Sequence, residues 1–319
     1  MQYSLFVITL FFLELIYFKI ADKFNIIDKP NHRSSHTKLT LRGGGILFPI
    51  AVVIAFFLGY ASWALTTAIM LVGTISFIDD IRPLSQLIRF SSHVLAFLLV
   101  AYELNLFIEA LWILPIVLIL LIGWINAFNF MDGINGITVL YALSAIISYS
   151  FLDTNKSSLP LLIIMGLSCL VFGFFNLRTK AKTFAGDVGS ISMALFLGYF
   201  MIKTIVNSGQ IGFILFFAIY GIDAVLTIMN RIRKRENIFE PHRSHLYQYL
   251  ANECGYSHIL ISIVYAVAQL MINILVLYLE SKGSLHLLVV ISLLFALTLI
   301  YLMVRTFVFK KMVLNKQIN

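Results

Sequence analysis

Two adjacent aspartates, Asp79 and Asp80, close an apolar block of this 319-residue chain, which holds only 15 acidic residues. A carboxylate at a helix C-terminus opposes the helix dipole, and two of them imply a cationic partner, either a metal ion or a basic side chain. A second cluster, NAFNFMDGING at 126–136, follows an apolar block and enters the next after barely a turn. Broken helical backbone at membrane depth must line an enclosed or wet cavity, since its peptide groups otherwise go unpaired. Gly133 and Gly136 suit a simple polar turn, but such a turn leaves Asn126, Asn129 and Asp132 without a reason.

Three further clusters carry polar chemistry. GDVGS at 186–190 precedes an apolar block, so Asp187 can cap that helix while Gly189 and Ser190 offer amides to an anion; a plain N-cap fits equally well. Gly43, Gly44 and Gly45 behind Arg42 could cradle a phosphate or form a flexible turn. The basic run Arg231 to Arg235 reads as a topogenic anchor, whereas His242, Arg243 and His245 suit a phosphate dianion better than zinc, because two histidines are not a full zinc set. Asp223, inside an apolar block, either faces a cavity or pairs with a basic residue. Glu14 is also intramembrane and has no specific role, and His93 reads as a packed histidine. Carboxylates and amide oxygens favour Mg²⁺, with Mn²⁺ as the alternative, over zinc. A hard cation beside a basic loop suits a diphosphate.

The elements that must position these residues are set by composition. Hydrophobic residues make up 60% of the chain and charged residues 12%, too apolar for a soluble core. The expected fold is therefore all-α, a polytopic transmembrane bundle of about eleven helices in a single domain over 1–319. The blocks lie near 3–20, 45–61, 63–78, 88–103, 107–128, 137–152, 159–176, 188–205, 210–230, 256–279 and 285–308. With the N-terminus outside and the C-terminus cytoplasmic, the loops 22–44, 79–87, 129–136, 177–187 and 231–255 are cytoplasmic. That side then carries 20 of the 23 Lys and Arg residues, leaving Lys156, Lys203 and Lys282 outside. The net charge of +8 is thus topogenic, and nucleic acid is set aside as a partner. The two cysteines imply no disulfide framework, and the first block reads as a retained span rather than a leader.

At this point the chain resembles the polyprenyl-phosphate N-acetylhexosamine-1-phosphate transferase superfamily of MraY, WecA and TagO. The resemblance rests on RSSHTKLTLRGGG at 33–45, FIDD at 77–80, NAFNFMDGING at 126–136, AGDVGS at 185–190 and PHRSHLYQ at 241–248. The first and last of these look most similar to the WbpL-like branch, which initiates O-antigen and related surface glycans. The resemblance implies an Mg²⁺-dependent transfer of a sugar 1-phosphate from a UDP-N-acetyl sugar to a polyprenyl phosphate at the bacterial cytoplasmic membrane. It implies Asp187 as the principal metal ligand with Asn129 sharing the ion. Asp79 and Asp80 match the family's aspartate pair, one of which is proposed to take a proton or order the site. Asp132 falls in the catalytic set, and Gly133 to Asn135 match the uracil pocket. His242, Arg243 and His245 match the loop near the diphosphate and sugar, and Lys38 a lysine beside the nucleoside. The implied partners are the UDP-sugar, the lipid and the membrane, with a homodimer left open.

Two departures stand out. Asn135 occupies a position where bacterial relatives often have Asp, and Leu39 and Leu41 replace prolines before the glycine run. A transporter or flippase for a phosphorylated lipid or nucleotide sugar is the alternative of a different class. It is disfavoured because no half-repeat is visible in the sequence. An intramembrane metalloprotease using His242 and His245 lacks the HExxH pattern.

Overall fold

The structure is a computed structural model that describes residues 2–30, 35, 39–109, 111–237 and 242–318. Every one of the eleven apolar blocks contains a helix. In chain order the helices are α1 (Gln2–Lys23), α2 (Leu47–Phe57), α3 (Trp63–Ile81), α4 (Gln86–Glu103), the short α5 (Leu106–Glu109), α6 (Leu114–Met131) and α7 (Ile137–Ser150). They continue with α8 (Leu159–Asn176), α9 (Gly186–Ser208), α10 (Ala218–Arg233), the one-turn α11 (Leu246–Gln248), α12 (His258–Ser281) and α13 (Leu287–Ile318). Serine hydroxyls start three of them, Ser62, Ser85 and Ser257 accepting from the amides of Leu65, Ile88 and Leu260. The block at 107–128 is divided, because α5 and a tight turn at Leu111–Ile113 precede α6.

Among the described residues, eight helices are long and apolar enough to cross a membrane, which makes the chain an all-α polytopic membrane protein. Two apolar helices are shorter: Gly44–Phe57, counting the turn before α2, and Ile137–Ser150. Fourteen residues of helix rise about 21 Å, less than the ~30 Å hydrocarbon layer.

The exception to helix is a two-residue pairing on the polar end of the bundle. β1 (Ile27–Asp28) and β2 (Thr40–Leu41) run antiparallel, Ile27 opposite Leu41 and Asp28 opposite Thr40. Leu41, at a position where proline was expected from the resemblance, also accepts from the amide of Phe184 at 2.8 Å. The loop before the glycine run is thereby stitched to the segment before α9.

Helix α9 is the centre of the bundle. Within the candidate spans, 83% of α9 is buried inside the protein against 6% of α13. Its neighbours α2, α3, α6 and α7 surround it. The closest approach is backbone on backbone: a Cβ on Gly189 would lie 2.7 Å from the Gly45 Cα, and one on Gly45 would lie 2.3 Å from the Gly189 Cα. The amides of Gly44 and Gly45 donate to Phe184 O at 2.9 Å and Ala185 O at 3.1 Å. The expectation that the glycine run offers its amides to a phosphate is therefore corrected. Two of those amides are spent inside the protein, and the glycines serve the close packing of loop on helix.

A second irregularity lies at membrane depth, where Ile211–Phe217 winds as a 3-10 turn before α10. Its freed peptide groups are not left unpaired. Gln269 of α12 donates to Leu215 O at 2.8 Å and accepts from the Ile219 amide at 3.0 Å and from the Tyr141 hydroxyl at 2.7 Å. One buried side chain thus closes the gap that the irregular backbone opens.

The glycine contact generates a test. Gly189→Ala forces a methyl against Gly45 and should destabilise the purified protein by about 1–3 kcal/mol, as overpacking does. Gly123→Ala and Gly221→Ala, whose new methyls meet nothing within 4 Å, should leave the melting temperature in detergent unlowered.

Candidate active site

The two sequence aspartates that needed cations have them. Asp80 is fully enclosed and accepts from the Asp187 amide at 2.9 Å and the Val188 amide at 3.0 Å, the first turn of α9. The Nε of Arg42 lies 2.7 Å from the same carboxylate, and its NH2 lies 3.3 Å from Asp187 Oδ1. Asp79 accepts from the Leu84 amide at 2.5 Å and pairs with Arg89 at 3.3 Å. The open amides at the start of α9, expected from the sequence to face an anion at Gly189 and Ser190, are those of Asp187 and Val188, and the anion that fills them is Asp80. Arg42 is in turn fixed through its own carbonyl, which accepts from the Tyr17 hydroxyl at 2.5 Å. Burial works against the guanidinium's charge, but Asp80, Asp187 and Asp28 together hold its pKa above the ordinary arginine value.

The helix break supplies the next wall. Asn129 Oδ1 accepts from Ser190 Oγ at 2.5 Å, joining the end of α6 to α9. Asp132 accepts from the Thr138 hydroxyl across the turn. Burial pushes the Asp132 carboxyl up to about 6, with the Thr138 bond pulling it down and the negative charge of Asp187 adding to the rise. Asn135 donates its side-chain NH₂ to Arg178 O at 2.7 Å, and its backbone amide lies 3.4 Å from His258 Nδ1. Gly136, at φ 86°, donates its amide to Asn176 Oδ1 at 2.8 Å. Gly133 leaves room for Tyr247, whose hydroxyl donates to Phe130 O at 2.8 Å. Asn126, flagged with this cluster, donates instead to Ile122 O of its own helix on an exposed face.

The last polar loop divides its residues. His242 lines the cavity, and its ring lies 4.9 Å from that of His245. Burial, with His245 and Arg231 nearby, pushes His242 down to about 4, so its imidazole is neutral at pH 7. Arg243 turns to Glu253 at 3.4 Å and is not part of the cavity wall. His245 sits behind His242, 1% exposed, against buried Asp223. The expected convergence of His242, Arg243 and His245 as cations is thus corrected. Among the described residues, the charged cation in the wall is Arg42. Lys38 lies outside the described residues.

Together these parts enclose a cavity of about 460 Å³ whose walls include Arg42, Asn129, Asp132, Asn135, Asp187 and His242. Such a volume is in the ordinary range for a small-molecule site. Asp79 and Asp80 stand behind the wall and not in it. Sequence reasoning missed Asn176, which accepts from Gly136 and donates to Thr183 O at 2.9 Å, and also His258 and Gln248 in the wall. An asparagine ending an apolar helix carries no signal beyond helix termination.

The donor set bears on a metal. Among the described residues, no group of three or more His, Cys, Asp or Glu is arranged around one point. Asp187 and Asn129, both with oxygen-bearing side chains, nonetheless line the same cavity. This suits a hard ion such as Mg²⁺, which takes one or two carboxylates and completes its shell with water and substrate phosphate. The residues present fit such an ion and not a caged zinc.

Comparison with known proteins follows the same motifs. Residues 62–205 match the family described as glycosyl transferase family 4, a stretch that holds the aspartate pair, the helix break and Asp187. An undecaprenyl-phosphate alpha-N-acetylglucosaminyl 1-phosphate transferase of Thermotoga maritima is 26% identical over 249 residues, covering 77% of this chain and 79% of its own length. The protein of the same name from Escherichia coli O157:H7 is 28% identical over 258 residues, covering 72% of this chain and 70% of its own. A phospho-N-acetylmuramoyl-pentapeptide-transferase of Thermotoga petrophila is 29% identical over 210 residues, with 58% and 67% covered. The order of motifs and these relatives agree, and together they support similarity to the superfamily of polyprenyl-phosphate N-acetylhexosamine-1-phosphate transferases.

Proposed function

We propose that the chain transfers an N-acetylhexosamine 1-phosphate from a UDP-sugar to a polyprenyl phosphate, releasing UMP. The observation that carries this reading is the single cavity that joins Asp187, Asn129 and Asp132 with Arg42 and His242 at one end of a membrane bundle. Similarity to the relatives described above supports the lipid acceptor and the sugar-phosphate donor. On this reading all eleven helical blocks span or enter the bilayer, with the N-terminus outside and the cavity facing the cytoplasm, where the soluble donor is made. The WbpL-like motif ends further suggest a chain that starts a surface polysaccharide such as O-antigen.

Asp187 and Asn129 would hold Mg²⁺, which when bound supplies charge neutralisation for the diphosphate. Asp80 keeps the Asp187 backbone in place by holding two amides of the first turn of α9, so the aspartate pair acts by ordering. Asp79 does the same for the α3 to α4 turn through Leu84 and Arg89. A lipid phosphate monoester has a second pKa near 6, as phosphorylated side chains do, and so is largely ionised at neutral pH. Its oxygen attacks the β-phosphorus without needing a base, the bond to the UMP oxygen breaks, and UMP leaves carrying that negative charge. Arg42 is placed to stabilise that charge, because its guanidinium already reaches the cavity beside Asp187. His242, neutral and with Nε2 unpaired, can accept a hydrogen bond from a sugar hydroxyl.

Two outcomes follow. Asp187→Ala should lower UMP release, measured on purified protein given a UDP-sugar and polyprenyl phosphate with Mg²⁺, by about 10²–10³-fold. Retained activity would sink the assignment, while mass spectrometry of the lipid product from a panel of UDP-sugars reads the sugar. The second concerns Asp132, whose folded-state pKa of about 6 exceeds its ordinary value. Below the ordinary value both folded and unfolded chains hold the proton; between the two values only the folded chain does; above about 6 the folded chain bears a poorly solvated charge. Asp132→Asn should therefore be more stable than the parent at pH 8 by on the order of 1–2 kcal/mol, a gap that closes as pH falls toward 4.

A further inference from the structure

The buried carboxylate of Asp223 has no part in the cavity wall, yet it is ringed by hydrogen-bond donors. Its Oδ1 receives the Leu246 amide at 3.2 Å, the Thr227 hydroxyl at 3.2 Å and the Tyr301 hydroxyl at 3.0 Å, and it lies 3.1 Å from His245 Nδ1. Its Oδ2 receives the Tyr265 hydroxyl at 2.9 Å. These partners come from α10 itself, the last polar loop, α12 and α13. An ionised carboxylate can only accept, so the His245 ring must present its proton at Nδ1. The other nitrogen, Nε2, lies on the far side of the ring from the carboxylate. It is buried and, among the described residues, has no hydrogen-bond partner. The Nε2 of His242, in the neighbouring ring 4.9 Å away, is in the same condition.

We propose that Asp223 is a positioning residue that fixes the ring orientation and the Nδ1–H tautomer of His245, and that the ring so held packs against His242 at the cavity. The role rests on the transferase reading only in its effect on turnover. One carboxylate grips both the ring of His245 and the next backbone amide, Leu246, so ring and loop cannot rotate apart. A second anchor adds to this, since the His245 amide donates to Gln248 Oε1 at 3.1 Å. Two phenols from the last two long helices finish the shell and leave the carboxylate no room to swing. Aspartate and histidine are 22 residues apart in sequence, and the pairing is a carboxylate–imidazole one of the kind that sets ring tautomers elsewhere.

The experiment reads ¹⁵N chemical shifts of histidine rings in the full-length protein in detergent, with the His245 signal assigned by its loss in His245→Gln. His245 in the parent protein should show the Nδ1–H, bare Nε2 pattern, and Asp223→Asn should shift it toward the opposite tautomer. Tyr265→Phe, which removes a different donor from the same carboxylate, should leave the tautomer as it was. UMP release should fall about 10–100-fold in Asp223→Asn, the usual effect of losing a group that orients another. In a His245→Gln background the same change should cost less than about twofold, because coupled residues are not additive. An Nε2–H tautomer in the parent, unchanged ring signals in Asp223→Asn, or multiplicative losses in the double variant would overturn the proposal. The parent spectrum decides even if Asp223→Asn fails to fold. The tautomer is measured without substrate, so absence of transfer with every UDP-sugar would defeat the transferase reading and leave the ring assignment standing.

Discussion

The site depends on one electrostatic junction: the carboxylate of Asp80 inserted at the N-terminus of α9 and clamped there by Arg42. A helix that begins inside the protein has amides at its first turn that need partners. Asp80 satisfies two of them, and the dipole of α9 in turn stabilises a charge that would be costly at the end of α3 alone. Arg42 neutralises what remains and reaches across to Asp187. Remove the junction and three things lose their place together: the glycine loop, the start of the central helix, and the carboxylate that faces the cavity.

Much of this was legible from residue types, and the reason is physical. Hydrocarbon thickness dictates span length, so the apolar blocks alone located the long helices, while the one-turn α11 lay outside them. Polar residues are expensive near the membrane, so the clusters at 79–80, 126–136, 186–190 and 242–245 stood out against their surroundings. The demand for a cation beside the aspartate pair followed from the helix dipole, and arginines meet it at both members.

What stayed hidden was which atom satisfies which. Gly45 was open to a phosphate cradle or a flexible turn and Gly189 to an anion site or a plain N-cap, and only their mutual contact shows them to be spacers. Arg243 sits beside two histidines in sequence but turns to Glu253, while Arg42, two hundred residues earlier, reaches the cavity. Asp223 had two possible partners by type, a cavity or a base, and neither spacing nor periodicity distinguishes His245 from Arg231. Side-chain direction in loops is set by tertiary neighbours, and a single sequence does not encode those neighbours locally.

The glycine contact also fixes an order of events. Gly45 and Gly189 are separated by 144 positions, and Asp80 waits for amides more than a hundred residues downstream. A chain threaded into the bilayer from its N-terminus carries the end of α3 through five further helices before α9 arrives to receive it. Until then Arg42 is the partner within reach, so this arginine serves the nascent chain as well as the finished enzyme. The cavity cannot exist on a partly inserted chain, and truncation before α9 leaves Asp80 with Arg42 but without the two amides it accepts from.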